Sequence, residues 1–300
     1  MEIWIVNDYL TCVPGTKTFW HMLLEIEGTI DKTGVPFNRL AETIENDPGN
    51  CDLIIRNMSF FRPIKRRVKQ IGFLQDRAED DPTQIAVCKS VDLIVFNSEY
   101  TKQAYSKWGF ENTKVIPIGV NEELFRPYPL AKLFPNDMPT GIFVGDYNQT
   151  KGTHIFEEVA RRKSYINFIY VSKQGYTINL PNVRNFPGGL DEQRMANLYN
   201  QADFSIMCSP VETLHLSSIE ACLCDKPAIG TNTGWFADYF SPTAGVVVPN
   251  PSVEEFCKAI DQVVESPSSF SPREHILTTP FVWSNCRSAW KALIGEMIGG

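Results

Sequence analysis

The sequence has no hydrophobic run long enough to cross a membrane and no N-terminal signal for secretion. A spanning helix needs roughly 18 or more apolar residues in a row, and a signal peptide combines a basic start with a small-residue cleavage site. The first residues, MEIWIV, show neither feature. We therefore expect a cytoplasmic protein without a transmembrane segment, and contact with a membrane surface stays open.

Cysteine pairs at the spacing of a zinc site are also missing. The eight cysteines are scattered, and the closest pair, Cys222 and Cys224, has no second pair or His-x3-His partner to complete a metal site. With 300 residues, of which 43% are apolar, the chain can bury a core without disulfides. We predict buried free thiols and no metal site.

Positive charge is in deficit, because 28 Lys and Arg face 35 Asp and Glu. Proteins that bind nucleic acid hold its phosphates with clustered Lys and Arg, so this balance argues against nucleic acid as a partner. The run Lys65-Arg66-Arg67 is a local basic patch, which is more often one solvated face of a helix.

Short runs rich in Ile and Val alternate with stretches of helical character, which indicates βαβ units and parallel sheets. The predicted strands of the first half are Ile3–Val6, Leu53–Arg56, Ile71–Gln75, Leu93–Asn97 and Val115–Pro117. The predicted helices are Thr18–Gly28, Phe61–Lys69, Pro82–Ser90 and Glu99–Trp108.

Four prolines between residues 125 and 139 interrupt this alternation and predict an extended linker. The predicted strands beyond it are Gly141–Gly145, Ile166–Val171, Val183–Phe186, Phe204–Met207, Pro227–Gly230 and Gly245–Val248. The predicted helices are Gly152–Arg162, Asp191–Gln201, Leu216–Cys224 and Val253–Val264, followed by a closing helix at Trp283–Ile298. We therefore predict two domains, 1–124 and 140–282, with residues 283–300 packing back toward the first.

The strongest chemical signal lies in Ser209–Ala221, which follows a predicted strand and opens a predicted helix. The free N–H groups near Leu216 and Ser217 would form an anion site beyond the end of the strand. Glu212 and Glu220, with seven residues between them, could accept hydrogen bonds from sugar hydroxyls. An alternative is a capping box, in which Glu220 bonds back to the start of its own helix.

This motif resembles the Glu-x7-Glu motif of the retaining glycosyltransferases with the two-domain GT-B fold, the family related to sucrose synthase and the bacterial mannosyltransferases. That motif reads Glu-Gly-Phe-Gly-Leu-Ser-x-x-Glu-Ala, followed by Gly-x-Pro-Val. The matching residues are Glu212, Leu216, Ser217, Glu220 and Ala221, then Asp225-Lys226-Pro227-Ala228-Ile229. Thr213 and His215 depart from the pattern, since the family has glycines there, and we expect them to reshape the donor-sugar pocket.

Three further stretches resemble the family in the same order along the chain. They are Val95–Lys102 with Lys114–Pro127 before the linker, Phe143–Gly152 after it, and Leu198–Asp203 before the donor-site strand. In the family, the second stretch carries a Gly-Arg turn and a Lys-Gly pair whose basic residues clamp the donor diphosphate. The resemblance covers residues 90–265 well and the first 90 weakly.

Asp146 reverses the charge where the family has the arginine of that turn, after the matching Gly145. Lys151 must then carry more of the phosphate recognition, with help from the helix dipole. Three alternatives follow: another basic residue enters the site, donor affinity is low, or the protein is not a competent enzyme. Lys151 could also be an ordinary surface lysine at a helix start.

In the first half, Gly15 follows the first strand at the place where the family's glycine-rich loop approaches the donor phosphates. Asp76 ends a predicted strand together with Gln75, where many relatives have a His-Asp pair that touches the reacting sugar. Asp76 is therefore a candidate acceptor-side carboxylate. A helix N-cap or a loop aspartate is an equally good interpretation of the sequence.

The resemblance implies an α/β protein of the GT-B class with two facing Rossmann-like domains. It implies metal-independent, retaining hexosyl transfer from a nucleoside-diphosphate sugar to a carbohydrate or other hydroxyl acceptor. We expect Glu212 to hold the donor sugar, Glu220 the ribose, and Lys151 with the amides near Leu216 and Ser217 the diphosphate. Gly145, Asp146 and His215 would complete the donor site, and no Asp-x-Asp motif suggests a metal.

Three alternatives remain open at this stage. A non-catalytic nucleotide-sugar or carbohydrate-binding protein would explain Asp146 and the missing glycines. A two-lobed binding protein of the periplasmic type would share the architecture, although the missing signal peptide argues against it. A glycosyltransferase acting on DNA would share the chemistry, although the acidic composition argues against it.

Overall fold

The structure, a computed structural model, describes residues 1–6, 20, 22–32, 39–58, 62–173 and 175–299. Contacts between residues divide the chain into two compact units. The first unit combines Met1–Gly119 with Trp283–Gly300, and the second is the continuous segment Val120–Val282. Residues 120–139, which include the predicted linker, group with the second unit.

The first unit contains a six-stranded sheet whose paired strands are all parallel. Its strands follow the order β2-β1-β3-β4-β5-β6 across the sheet. Their bounds are Ile3–Val6 (β1), Thr29–Asp31 (β2), Leu53–Asn57 (β3), Lys69–Leu74 (β4), Leu93–Phe96 (β5) and Thr113–Val115 (β6). The strands β1, β3 and β5 are buried throughout, which explains why β1 and β5 are wholly apolar and why β3 begins with three apolar residues before Arg56 and Asn57.

Three helices of the first unit are short and cover this sheet. They are Leu40–Asn46 (α1), Pro82–Cys88 (α2) and Glu99–Ala104 (α3). The side chain of Asp81 accepts a hydrogen bond from the Thr83 amide at the start of α2, and Ser98 does the same for Thr101 at the start of α3. The predicted helix Thr18–Gly28 falls partly outside the described residues. Within its described part, residues 20 and 22–24 are helical.

The second unit contains another six-stranded parallel sheet, in the order β12-β11-β10-β7-β8-β9. Its strands are Thr140–Val144 (β7), Asn167–Ser172 (β8), Val183–Pro187 (β9), Phe204–Met207 (β10), Ala228–Thr231 (β11) and Gly245–Val248 (β12). The chain leaves β7 toward β8 and leaves β10 in the opposite direction, toward β11. Ligands of open parallel sheets bind at such a reversal, beyond the carboxyl ends of the two strands.

Four helices of the second unit lie between its strands, and two follow its last strand. They are Thr153–Arg162 (α4), Glu192–Gln201 (α5), Leu216–Leu223 (α6), Trp235–Asp238 (α7), Val253–Glu265 (α8) and Pro272–Leu277 (α9). One large core cluster joins α4 and α8 to the sheet, with Phe156, Phe168, Phe204 and Phe256 at or near zero exposure.

The C-terminal helix Trp283–Gly299 (α10) belongs to the first unit. The indole of Trp290 is fully buried and meets the ring of Phe73 edge to face, with 5.6 Å between the ring centroids. Gly119 allows this helix to approach closely, because a Cβ there would lie 2.8 Å from the Cβ of Cys286. Within the described residues, no helix combines the length and apolar character needed to span a bilayer.

The predicted helix Phe61–Lys69 is wrong in its described part. Residues 62–66 form an irregular connection, and Lys69 begins β4. Pro63 lacks an N–H and disfavours helical geometry in the residue before it. The Arg66 guanidinium instead donates to the carbonyls of Ile44 and Asp47, at 3.0 and 2.9 Å, at the end of α1. The basic run is therefore not a solvated helix face, because Arg66 caps a neighbouring helix.

Four short elements were not predicted, namely β2, α1, α7 and α9. Each has seven residues or fewer, and the edge strand β2 has three, none of them fully buried. Such segments carry too few residues to show a hydrophobic period. The prediction of free thiols agrees with the seven cysteines of the described residues, which form no disulfide.

Candidate functional site

Two loops meet at the reversal of strand order in the second sheet, one after β7 and one after β10. Gly152, at the end of the first loop, has a φ of 66° and lies against Cys208 at the start of the second. A Cβ at Gly152 would lie 2.1 Å from the carbonyl oxygen of Cys208, so this contact excludes every other residue type. The glycine therefore sets the distance between the two loops.

This approach brings Lys151 and Glu212 together, as the sequence motifs predict for residues of one site. The Lys151 Nζ lies 2.7 Å from Oε1 of Glu212. The Glu212 side chain is 9% exposed, whereas that of Lys151 is 39% exposed and can reach a ligand. Asn148 fixes the backbone before this pair, since its Oδ1 accepts a hydrogen bond from the Lys151 amide at 2.7 Å.

The ionisation of Glu212 depends on its charged neighbours. Burial by itself raises the pKa of this carboxyl, but attraction to the protonated form of His215 and to Lys151, together with hydrogen bonds from Lys151 and Ser209, outweighs it. The net effect is a lowered pKa, so Glu212 is a carboxylate at neutral pH. A ligand can therefore bind the half-exposed ammonium of Lys151, either in place of its ion pair with the buried Glu212 carboxylate or in addition to it.

Helix α6 begins directly after this carboxylate. Its N-cap, His215, has a φ of 67° and provides no side-chain cap. Among the hydrogen bonds of the described residues, none takes the first-turn amides of Leu216 and Ser217 as donors. These amides and the helix dipole favour an anion at this end of the helix.

Glu220 points away from the start of its own helix. One of its carboxyl oxygens, Oε2, accepts a hydrogen bond from the Tyr199 hydroxyl at 2.7 Å. The capping box would need Ser217 as the N-cap of the helix. This alternative is therefore wrong, because the N-cap is His215 and Ser217 lies inside the helix. Burial raises the pKa of Glu220 to about 7, the Tyr199 hydrogen bond opposes this, and the charge of Glu192 adds to it.

Asp146 bonds to the next strand rather than to the Lys151 side chain. Its Oδ1 accepts from the Lys173 amide at 2.8 Å and lies 3.4 Å from the Ser172 Oγ. This carboxylate therefore ties the loop after β7 to the end of β8. Gly145 lies beside it, and its amide donates to the Val171 carbonyl at 3.0 Å.

Asp76 lies in the first unit, in the loop after β4, and its side chain is exposed. Its carbonyl accepts a hydrogen bond from the Tyr105 hydroxyl at 3.2 Å. It is not the N-cap of the following helix, because Asp81 has that position. Gln75 is buried beside it, and its carbonyl accepts from the Asn97 side chain at 3.1 Å. Gly15, the other residue predicted for this unit's site, lies outside the described residues.

Two further side chains organise the site and carry no signal in the sequence motif, Tyr199 and Ser218. The first lies on the buried face of α5 and holds Glu220, and the second bonds to His215. A helical period places Tyr199 on the same face as Ala196, so its burial could be predicted, but its partner could not. No three His, Cys, Asp or Glu side chains gather as metal ligands within the described part of the chain. Metal independence stays a prediction.

Residues 131–276 match the protein family described as Glycosyl transferases group 1. The matched stretch contains both loops of the site and helix α6. A comparison with curated protein sequences gives no significant match.

Several solved structures are similar over the whole chain. Sucrose-phosphate synthase from Thermosynechococcus elongatus has a TM-score of 0.79 at 16% identity and covers 100% of both chains. HepE from Anabaena, solved in complex with UDP-glucose, has a TM-score of 0.76 at 18% identity and covers 99% of this chain and 100% of its own. A glycosyltransferase from Rickettsia africae has a TM-score of 0.77 at 15% identity, with coverage of 99% and 98%. At such identities the similarity establishes the fold, and the predicted α/β GT-B class is confirmed.

Proposed function

We propose that this protein is a retaining glycosyltransferase that moves a sugar from a nucleoside-diphosphate sugar to a hydroxyl acceptor. The observation that carries the proposal is the Lys151–Glu212 pair beside the open first turn of α6, at the strand reversal of the second sheet. The match of residues 131–276 to group 1 glycosyl transferases supports it. The UDP-glucose bound to HepE supports the donor class.

The donor diphosphate binds at the first turn of α6 in this proposal. The amides of Leu216 and Ser217 donate to its oxygens, and the Lys151 ammonium supplies the positive charge. Because Lys151 is 39% exposed, it can turn from Glu212 toward the phosphates without unfolding the loop. The same groups then stabilise the charge that develops on the diphosphate as it leaves.

The two glutamates recognise different hydroxyls. Glu220 accepts from the ribose, since it lies on the second turn of α6, beyond the phosphate-binding amides. Glu212 accepts from the transferred sugar, since it precedes the helix and is a carboxylate at neutral pH.

Transfer proceeds on the face that the diphosphate leaves. The bond between the anomeric carbon and the phosphate oxygen breaks, and a bond from that carbon to the acceptor oxygen forms. The acceptor proton passes to the leaving diphosphate, and the sugar keeps its anomeric configuration. Lys151 and the helix amides supply the charge stabilisation, so the scheme needs no divalent metal.

The first unit contributes the acceptor side of the proposal. Asp76 follows the carboxyl end of β4, the edge of a parallel sheet at which ligands bind, and its carboxylate accepts from the acceptor hydroxyl. The acceptor is a glycan, a lipid-linked sugar or another hydroxyl compound, and the protein works in the cytoplasm.

A second candidate function is non-catalytic binding of a nucleotide sugar. The position of Asp146 favours it, because a carboxylate bonded to the Lys173 amide replaces the basic residue that the resemblance predicts there. Donor affinity without turnover would identify this function.

The test starts with a thermal-shift screen of UDP, GDP and dTDP and of their sugars, because a ligand that binds the native state raises the melting temperature. Release of nucleoside diphosphate from the best sugar then measures turnover. We expect Lys151→Ala to lose both the shift and the release. The matched control is Lys258→Ala, which removes another salt-bridged lysine of the second unit. Equal behaviour of the two variants would exclude the proposed site.

A further inference from the structure

The ring of His215 has its short hydrogen bond at Nδ1. Its Nδ1 lies 2.8 Å from the Ser218 Oγ, and the Ser218 hydroxyl is placed to donate to the His215 carbonyl at 3.0 Å. The Trp235 indole donates to the same Oγ at 2.6 Å. An indole N–H can only donate, and a hydroxyl has one proton to give. With that proton donated to the His215 carbonyl, Ser218 accepts from both Trp235 and Nδ1–H.

This arrangement assigns one tautomer to the imidazole. The proton lies on Nδ1, and Nε2 carries the lone pair of a hydrogen-bond acceptor. The described contact of Nε2 is the Ser217 Oγ at 3.4 Å, which is long for a hydrogen bond between these atoms. Burial lowers the pKa of His215 to about 4, with repulsion from Lys151 adding to this and attraction to Glu212 opposing it. The ring is therefore neutral at physiological pH.

The position of His215 limits what Nε2 can bind. The ring interacts electrostatically with Glu212 and Lys151, and the residue immediately precedes the first-turn amides. A lone pair repels phosphate oxygens, so the partner of Nε2 must be a hydrogen-bond donor. In a nucleoside-diphosphate sugar the hydroxyls are such donors. The ribose is assigned to Glu220, which leaves the hydroxyls of the transferred sugar.

The backbone also marks this residue. His215 and Asp225 are the non-glycine residues with positive φ in the described chain, at 67° and 64°. A left-handed conformation is strained for a residue with a Cβ. Strain of this kind persists where the surrounding structure and the function require the side chain.

We propose that His215 is a specificity-determining residue whose Nε2 accepts a hydrogen bond from one hydroxyl of the transferred sugar. This inference rests on the proposed function and deepens it. A glycine at this position would leave the first-turn amides in place but could not distinguish sugars by that hydroxyl.

The experiment measures binding by calorimetry for the wild type and His215→Gly. Glycine suits the left-handed backbone, so the variant keeps the loop conformation. The ligands are UDP-glucose, GDP-mannose, dTDP-rhamnose and the three parent diphosphates. The sugar that binds best is then replaced by its monodeoxyfluoro analogues, because fluorine keeps the size of a hydroxyl but cannot donate. Asp225→Gly serves as the control, since it also replaces a residue with positive φ by glycine but leaves the His215 ring in place.

We expect His215→Gly to lower the affinity for the nucleotide sugar by about 2- to 10-fold, the usual effect of losing one hydrogen bond. The parent diphosphate should bind both proteins equally. One fluoro analogue should also bind both equally, and it identifies the hydroxyl. Equal loss for diphosphate and sugar, no loss for either, or the same loss with every analogue would overturn the inference. If the wild type binds none of these ligands, the proposed function fails together with it.

Discussion

At the residue scale, the site depends on how its neighbours set the ionisation of Glu212 and Glu220. The two carboxyls lie on either side of the same helix start, yet their pKa values shift in opposite directions. Glu212 has Lys151 at 2.7 Å and is ionised, whereas Glu220 has a neutral tyrosine hydroxyl as its partner and is half protonated near pH 7. This difference leads to two predictions.

The first prediction concerns the pH dependence of nucleotide affinity. Ribose hydroxyls donate to the ionised form of Glu220, so binding favours that form and lowers its pKa from the free value of about 7. Affinity should therefore rise as the pH increases from 6 to 8, by about tenfold, and then level off. Calorimetry across this range gives the profile.

Two variants test whether the pH dependence comes from the Glu220 carboxyl. The terminal phosphate of the nucleotide titrates in the same range, and Glu220→Gln keeps that contribution while removing the carboxyl. We expect a flatter profile for Glu220→Gln. Tyr199→Phe removes the hydrogen bond that opposes the raised pKa, so its profile should shift to higher pH. Identical profiles for wild type and Glu220→Gln would contradict the assignment to the ribose.

The second prediction separates Lys151 from Glu212. Lys151→Ala removes the phosphate counter-charge, so nucleoside-diphosphate affinity should fall by about 1–3 kcal/mol. Glu212→Ala should leave that affinity undiminished, because it releases Lys151 from its ion pair, while sugar transfer falls. The double variant should bind nucleotide like Lys151→Ala. A loss of nucleotide affinity in Glu212→Ala, of the size seen for Lys151→Ala, would show that the pair acts as one structural unit.

At the element scale, the site is made by the close contact of two loops rather than by any single motif. Gly152 ends the three-residue helix Gln149–Lys151 in a left-handed conformation, pressed against the Cys208 carbonyl. Gly109 ends the similar helix Ser106–Trp108 with a φ of 61°, but no atom lies within 4 Å of its missing Cβ. An alanine would be strained by the positive φ at both positions, but only at Gly152 would its Cβ also clash with neighbouring atoms.

The third prediction uses this pair. Gly109→Ala should cost about 1 kcal/mol in unfolding free energy, the price of a left-handed alanine. Gly152→Ala should cost about 2–4 kcal/mol, because the loop must also move away from Cys208. It should weaken nucleotide binding as well, since Lys151 moves with the loop. Urea unfolding and calorimetry measure both effects, and equal costs for the two variants would contradict the role of crowding.

At the scale of the whole molecule, the chain returns to its first unit through the C-terminal helix. Trp290 on that helix is fully buried in the first unit, whereas Lys151 and Glu212 belong to the second. The stability of the first unit therefore depends on residues that come last in the sequence.

The fourth prediction follows from this return. Trp290→Ala should lower the stability of the first unit by about 3–5 kcal/mol, as other large aromatic deletions in cores do. Nucleotide affinity should stay unchanged, because the residues of the proposed donor site belong to the second unit. Scanning calorimetry with and without nucleotide distinguishes the two units, and Lys291→Ala, an exposed neighbour, is the control. A loss of nucleotide affinity in Trp290→Ala would show that nucleotide binding also depends on the first unit.

The sequence by itself determined the alternation of strands and helices, the two α/β halves and the motif around Glu212. Buried parallel strands are continuous apolar runs, and capped helices carry polar residues at fixed positions, so both are local properties of the chain. The helix predicted at Phe61–Lys69 shows the limit of this locality. Arg66 finds its partners at the end of α1, about 20 residues earlier, and no local pattern records them.

Only the tertiary structure decided which side chains share the site and how they ionise. Lys151 and Glu212 are 61 residues apart, and Tyr199 and Glu220 are 21 residues apart. Their pairing depends on the strand order of the second sheet and on the contact of Gly152 with Cys208. The pKa of a carboxyl depends on burial and on nearby charges, and both are set by residues distant in the sequence. The motif therefore predicts the two glutamates, and the fold gives each a different partner and a different charge.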